Sequence, residues 1–224
     1  MAFNGLLITE IFYSIQGETS HSGLPYTFIR LTGCNLRCSY CDSTYAFKGG
    51  TRMTIDEVAA EVKKYPTPHV LLTGGEPLLQ RGTLPLAKAL HDLGYEVSIE
   101  THGEAPITPY SEFCRIVMDI KTPGSQMSRG GWTKNLPHLK ITDEIKFVIT
   151  SEADYFWAKE WLTKNPQPFG RVLFSPIVAA KNSPGHVSGL SMQWLADQIL
   201  KDHLPVRFQT QLHKAIWGAE KTGV

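Results

Sequence analysis

The chain lacks long apolar runs, a surplus of charge of either sign and a spread of cysteines, and each shortage removes a class of protein. No stretch approaches the roughly 20 apolar residues that cross a bilayer as a helix. Met1 to Phe12 carries neither a basic leader nor an extended apolar core. A soluble, cytoplasmic protein without a membrane partner is therefore expected. Lys and Arg number 22 against 21 Asp and Glu, so bulk electrostatics give no case for a nucleic-acid partner. Internal repeats, low-complexity tracts and Pro/Ser linkers are also missing, and 224 residues suit one domain spanning 1–224 with a real hydrophobic core.

Only four cysteines are present, and their placement does not resemble a disulfide framework. Cys114 lies in the apolar context Phe113-Cys114-Arg115-Ile116-Val117. The other three crowd into Cys34-Asn35-Leu36-Arg37-Cys38-Ser39-Tyr40-Cys41. A closed zinc or iron–sulfur site takes four protein ligands, so three thiolates on one short loop predict a metal centre with an open coordination position. The C-x3-C-x2-C spacing lets three sulfurs converge on three corners of a cubane cluster. The alternative is a zinc site completed by His69 or His102 in a non-catalytic binding module, although structural zinc cysteines more often come as two separated pairs.

Short β-branched and apolar runs recur at 26–31, 70–72, 97–99, 116–118, 145–149, 172–174 and 206–208, each a buried strand by pattern. Helical periodicity fills several gaps between them. Thr54 to Lys64 opens on a Thr54/Glu57 capping box and Leu84 to Leu93 ends at Gly94; Glu152 to Lys164 and Leu190 to Lys201 supply two more helices. Two crossovers break the rhythm: His102 to Phe113 is short, and Lys121 to Asp143 is rich in Gly, Pro and Ser without a helical period. The expected fold is α/β, an incomplete parallel (β/α) barrel with some crossover helices trimmed.

In a parallel barrel the ligand site lies at the C-terminal ends of the strands. The polar motifs fall there: the cysteine loop after Leu31, Thr73-Gly74-Gly75-Glu76-Pro77 after Leu72, and Glu100-Thr101 after Ile99. Their common placement predicts a single site. The glycines of the second motif allow close backbone approach to a ligand, and Glu76 is suited to pairing with an ammonium group.

With Tyr40 before its last cysteine, the loop resembles the signature of the radical S-adenosylmethionine family. That resemblance implies a 4Fe-4S cluster on Cys34, Cys38 and Cys41. The cluster's open iron would bind the methionine amino and carboxylate groups of S-adenosylmethionine, whose reductive cleavage yields a 5′-deoxyadenosyl radical. The family carries a Gly-Gly-Glu-Pro motif after its second strand for the methionine amino group, which places Gly75 and Glu76 at the cofactor. A narrower resemblance rests on Ser14-Ile15-Gln16-Gly17-Glu18, Phe28-Ile29-Arg30-Leu31-Thr32-Gly33-Cys34, Cys41-Asp42-Ser43 and Gln211-Leu212-His213-Lys214. Together these are similar to the 7-carboxy-7-deazaguanine synthase family of queuosine and 7-deazapurine biosynthesis, over essentially the whole chain.

The narrower resemblance implies a lyase that converts 6-carboxy-5,6,7,8-tetrahydropterin to 7-carboxy-7-deazaguanine with loss of ammonia. It places Ile15, Gln16, Gly17, Arg30 and Thr73 around the pterin. Ser98, Glu100, Asp119, Ile120, Lys121, Ser175, Pro176, Ile177 and Val178 fall on the S-adenosylmethionine side. Mg2+ would sit on the hydroxyl two residues after the last cysteine, which is Ser43 where the family has threonine, with Thr44 next in the chain. A homodimer and an electron donor such as flavodoxin or ferredoxin are further implications. A glycyl-radical enzyme activating enzyme shares the cysteine spacing and small size, but predicts a wide cleft and no pterin pocket.

Overall fold

A computed structural model describes residues 5–166, 170–178 and 189–224. Among the described residues nine strands form one sheet in the order β3-β1-β2-β4-β5-β6-β7-β8-β9. They are β1 (Leu6–Ile15), β2 (Pro25–Leu31), β3 (Thr51–Met53), β4 (His69–Gly74), β5 (Glu96–Thr101), β6 (Cys114–Asp119), β7 (Glu144–Ile149), β8 (Arg171–Pro176) and β9 (Arg207–Phe208). From β2 to β9 every pairing is parallel, and β1 runs antiparallel to both β2 and β3. Among the described residues the sheet does not close, so the incomplete parallel barrel is observed, with an antiparallel hairpin added at its first edge.

Four α-helices stand where their periodicity predicts them: α1 (Ile55–Val62), α2 (Thr83–Asp92), α3 (Glu152–Lys164) and α4 (Met192–Lys201). The Thr54/Glu57 capping box forms, with Thr54 N–H 2.7 Å from Glu57 Oε2 and Glu57 N–H 3.2 Å from Thr54 Oγ1. The crossover from Lys121 to Asp143 has three short 3-10 turns and no α-helix, as its composition implies. Among the described residues no helix is long and apolar enough to cross a membrane.

Three elements escape a reading by periodicity. Strand β1 contains a register shift between Ile8 and Glu10, where a bulge turns the strand over. Leu6 and Ile8 face the outer core, yet Phe12, also even-numbered, packs inside with Tyr26, Phe28 and Leu71. The alternation that marks a strand is therefore broken at its middle. β3 is only three residues long and mostly exposed, and α5 (Leu212–Trp217) has six residues, too few for a helical period to show.

The core lies between the outer face of the sheet and the helices. Ile29, Leu72, Ile99, Met118, Phe147 and Phe174 pack there against Val58, Leu86, Leu90, Tyr155, Trp161 and Leu195. The inner face is divided into layers. Phe12 stacks on Phe28 at 4.9 Å between ring centroids, the polar side chains Arg30, Thr73, Glu100 and Asp119 stand at or near the C-terminal ends of their strands, and Lys146, midway along β7, is in register with Asp119. The β1–β2 connection crosses this interior. Thr19 N–H donates to Gln209 Oε1 (2.8 Å), Ser20 N–H lies 3.2 Å from Glu144 Oε1, and Lys146 Nζ is 2.8 Å from Glu18 Oε2.

Candidate active site

A cavity of about 440 Å³ opens at the C-terminal ends of the strands. Cys34, Cys38 and Cys41 all border it and none is in a disulfide. Burial raises all three thiols, Cys41 to about 11. Thiolates there would need a neighbouring positive charge, which the iron of a bound cluster would supply. Leu36 N–H points at Cys34 Sγ from 3.4 Å, a backbone donor of the kind that stabilises a ligating sulfur. Three free cysteines on one loop, all bordering one cavity, are a donor set that suits three corners of a cubane.

The cysteine loop is held from behind by the Thr73–Pro77 motif. Gly74 has φ +137°, and a Cβ on it would meet Leu31 O at 2.2 Å; one on Gly75 would meet Gly33 O at 2.1 Å and Cys34 Cβ at 2.9 Å. Here the close approach is therefore to the cysteine loop itself. Gly75 N–H donates to Leu31 O (3.1 Å) and Glu76 N–H to Gly33 O (2.8 Å), which fastens the two segments together.

Glu76 is fully buried and stands behind the cavity wall. Its Oε1 accepts from Leu78 N–H (3.0 Å) and Thr101 Oγ1 (2.8 Å), and its Oε2 accepts from His102 N–H (2.9 Å). Burial pushes its carboxyl up to about 7 against these donors. His102, which burial lowers to about 4, places Nε2 2.8 Å from Asn35 Oδ1 in the cysteine loop. Glu76 thus organises the β4 and β5 ends, and its carboxylate is already occupied by protein donors.

Charge concentrates on the opposite wall. Lys146, 5% exposed, bridges Glu18 Oε2 (2.8 Å), Asp119 Oδ2 (3.3 Å) and Glu100 Oε1, and Lys121 adds a contact to Asp119 Oδ2 at 3.0 Å. Burial alone would raise the Glu18 carboxyl, but Lys146 and His213 hold it down at about 2. Asp119 Oδ1 and Tyr40 Oη are buried without a hydrogen-bond partner among the described residues, and both residues border the cavity. These orphaned polar atoms fit a polar cofactor beside the cysteines.

Ser43 Oγ donates to Asp42 Oδ1 (2.9 Å) and lies 3.5 Å from Arg30 NH1, while Arg30 Nε binds Glu10 Oε1 at 2.7 Å. Thr44 also reaches the wall. Of the residues singled out by sequence, Ile15, Gln16, Gly17, Arg30, Thr73, Gly75, Glu100, Asp119, Lys121, Ile177, Cys34, Cys38, Cys41 and Ser43 share this cavity. Glu76, Ser98, Ile120, Ser175, Pro176 and Val178 do not border it. Ser98 lines a separate hollow of about 390 Å³ at the strands' N-terminal ends, with His21 and Arg115.

Glu18, Lys146, His213, Lys214 and Ala219–Val224 also line the cavity, and sequence reasoning gave them no place in it. Lys146 follows a strand-like run without any motif. Glu18 and the Gln211–Lys214 segment stood within quoted motifs, so their spacing was the available signal.

The Radical SAM superfamily model matches residues 28–123. A 7-carboxy-7-deazaguanine synthase of Koribacter versatilis is 44% identical over 97% of this chain and 99% of its own. The chain belongs to the 7-carboxy-7-deazaguanine synthase family. A Chlorobaculum tepidum protein of the same name is 42% identical over 98% of this chain and 97% of its own. The crystal structure of QueE from Escherichia coli shares the fold, with TM-score 0.73 at 20% identity over 94% of this chain and 97% of that one. Streptococcus suis SuiB bound to S-adenosylmethionine aligns with TM-score 0.58 and 14% identity over 86% of this chain and 52% of that one. As a radical S-adenosylmethionine enzyme, this member of the 7-carboxy-7-deazaguanine synthase family uses a 4Fe-4S cluster and S-adenosylmethionine.

Proposed function

We propose that this chain converts 6-carboxy-5,6,7,8-tetrahydropterin to 7-carboxy-7-deazaguanine with release of ammonia, in queuosine or 7-deazapurine biosynthesis. The observation that carries the reading is 44% identity over nearly the full length to a protein named for that product. Cluster and S-adenosylmethionine, when bound, supply the hydrogen-abstracting radical. The cavity of about 440 Å³, bordered by Ala219–Val224, suits a small heterocycle and argues against the wide cleft of an enzyme that activates a partner protein.

Cys34, Cys38 and Cys41 hold the cluster. Gly75, Glu100, Asp119, Lys121 and Ile177 form the S-adenosylmethionine side, Glu76, Ile120, Ser175, Pro176 and Val178 support that wall from outside the cavity, and Ser98, in the hollow at the other end of the strands, stands apart from it. Ile15, Gln16, Gly17, Arg30 and Thr73 position the pterin. Arg30, fixed by Glu10, offers a planar charged fork suited to a carboxylate. Mg2+ is placed at the Ser43 hydroxyl, whose proton is directed to Asp42 so that the oxygen can face a cation. The main contribution of the protein is proximity and orientation, worth several kcal/mol, on the order of 7–11 at best.

One domain over 1–224, a cytoplasmic location, a homodimer and a flavodoxin or ferredoxin as reductant complete the proposal. Anaerobic reconstitution with iron, sulfide, S-adenosylmethionine, Mg2+, reductant and the carboxytetrahydropterin tests it. Deazaguanine product is expected; cofactor cleavage without it overturns the assignment.

A further inference from the structure

Helix α5 has six residues, and a helix this short is not stable by itself in water. Its place is set by contacts to two other segments. On one side Leu212 N–H donates to Gly17 O (2.9 Å) and Gln211 Nε2 to Glu18 Oε1 (2.9 Å), which seats the helix on the β1–β2 connection. A Cβ on Gly17 would lie 2.9 Å from the backbone N of His213, so the two backbones meet closely. On the other side, Lys214 Nζ lies 2.7 Å from Asp42 Oδ2, and Gln211 Nε2 reaches the same oxygen at 3.4 Å.

Lys214 is 8% exposed, although its helix is largely on the surface. A lysine so covered is unusual unless paired. Asp42 is its partner, and Asp42 stands between Cys41 and Ser43 while its other oxygen receives the Ser43 hydroxyl. One ammonium group therefore joins α5 to the loop that carries both the cysteines and the hydroxyl. Residues Ala219–Val224, which border the cavity, follow α5 directly.

We propose that Lys214 is a positioning residue: by pairing with Asp42 it latches α5 across the cavity mouth onto the cysteine loop and holds the substrate side closed. The inference rests on the lyase reading for its kinetic consequence, but the latch itself is a property of the protein without substrate. Without the ammonium, α5 keeps its hinge on the β1–β2 connection and loses its hold on the cysteine loop. The Asp42 carboxylate is then free to turn, and Ser43 loses a fixed acceptor.

Hydrogen exchange by mass spectrometry on the anaerobically prepared, cluster-loaded protein without substrate reads the latch directly. In Lys214→Met, exchange across 211–218 is expected to quicken about tenfold while the rest of the chain is unchanged, and Lys214→Arg restores the slow rate. In turnover assays Lys214→Met raises KM for the pterin about tenfold, with a smaller fall in kcat and unchanged KM for S-adenosylmethionine. Exchange within twofold of the parent, or equal loss in both KM values, overturns the proposal. If Lys214→Met does not fold, the isosteric Asp42→Asn carries the same exchange test. Should the parent make no deazaguanine, the lyase reading fails while the exchange result still decides the latch.

Discussion

Lys146 Nζ stands 2.8 Å from Glu18 Oε2, joining β7 to the connection that crosses the open interior of the sheet. The contact lets a barrel with unpaired edges keep a firm inner wall, because a nearly fully buried ammonium serves three carboxylates from three separate segments. Two charges taken from water favour the fold only when well matched, and deleting one strands the others.

Lys146→Met is therefore expected to cost about 3–5 kcal/mol in a urea titration, as breaking a buried pair does. Glu18→Gln tests the same network through pH. The Glu18 carboxyl falls from 4.5 to about 2 on folding, so its contribution is fully present above the unfolded value and is lost as pH drops toward 2. That difference is worth on the order of 3 kcal/mol. The parent should lose stability between pH 4.5 and 2 more steeply than Glu18→Gln; parallel curves would refute the assignment.

Glu76 gives the opposite sign. Burial raises its carboxyl to about 7, so the folded protein holds a proton that the unfolded chain gives up. Its stabilising effect is present below the unfolded value and declines as pH rises through 7. Glu76→Gln removes that slope. Its amide cannot accept from Leu78, Thr101 and His102 together without one donor facing another, and a loss of about 1–3 kcal/mol is expected by thermal denaturation.

The fourth cysteine separates ligand from core residue. Cys114 is 1% exposed in the outer core, so Cys114→Ala should keep the parent's iron and sulfide content and lose about 1 kcal/mol of stability. Cys38→Ala should lose most of its iron and its visible absorbance under the same anaerobic purification. Equal metal contents in the two variants would remove the cluster assignment.

In the proposed site Ser43 offers its hydroxyl to Mg2+. Ser43→Ala should raise the Mg2+ concentration for half-maximal activity at least about tenfold, comparable to losing one polar contact. Ser43→Thr should stay near the parent. Unchanged Mg2+ dependence in Ser43→Ala would shift the role to Thr44, which borders the same cavity.

Much of the architecture was legible because the parallel strands are buried on both faces and read as apolar runs, and because α1 to α4 carry full helical periods and caps. β1 was not, since its bulge moves Phe12 to the inner face and destroys the alternation. The cysteine loop was visible because its ligands are neighbours in sequence. Lys146 was not, because its carboxylate partners lie 128, 46 and 27 residues away along the chain. Glu76 was placed by motif at the cofactor, but Leu78, Thr101 and His102 draw its carboxylate behind the wall.

The sequence by itself determined the local chemistry: three thiols on one loop, the glycines that let β4 approach it, and strands and helices alternating in the order of an open barrel. Spacing over a few residues suffices for these because the groups share one short backbone segment. Only the tertiary structure decided which side chains finish the site. Lys146 reaches Glu18 across the interior, and Lys214 reaches Asp42 from a helix 172 positions further along the chain. Such pairs follow from the burial of charge, which obliges each ion to find a partner wherever the fold places one.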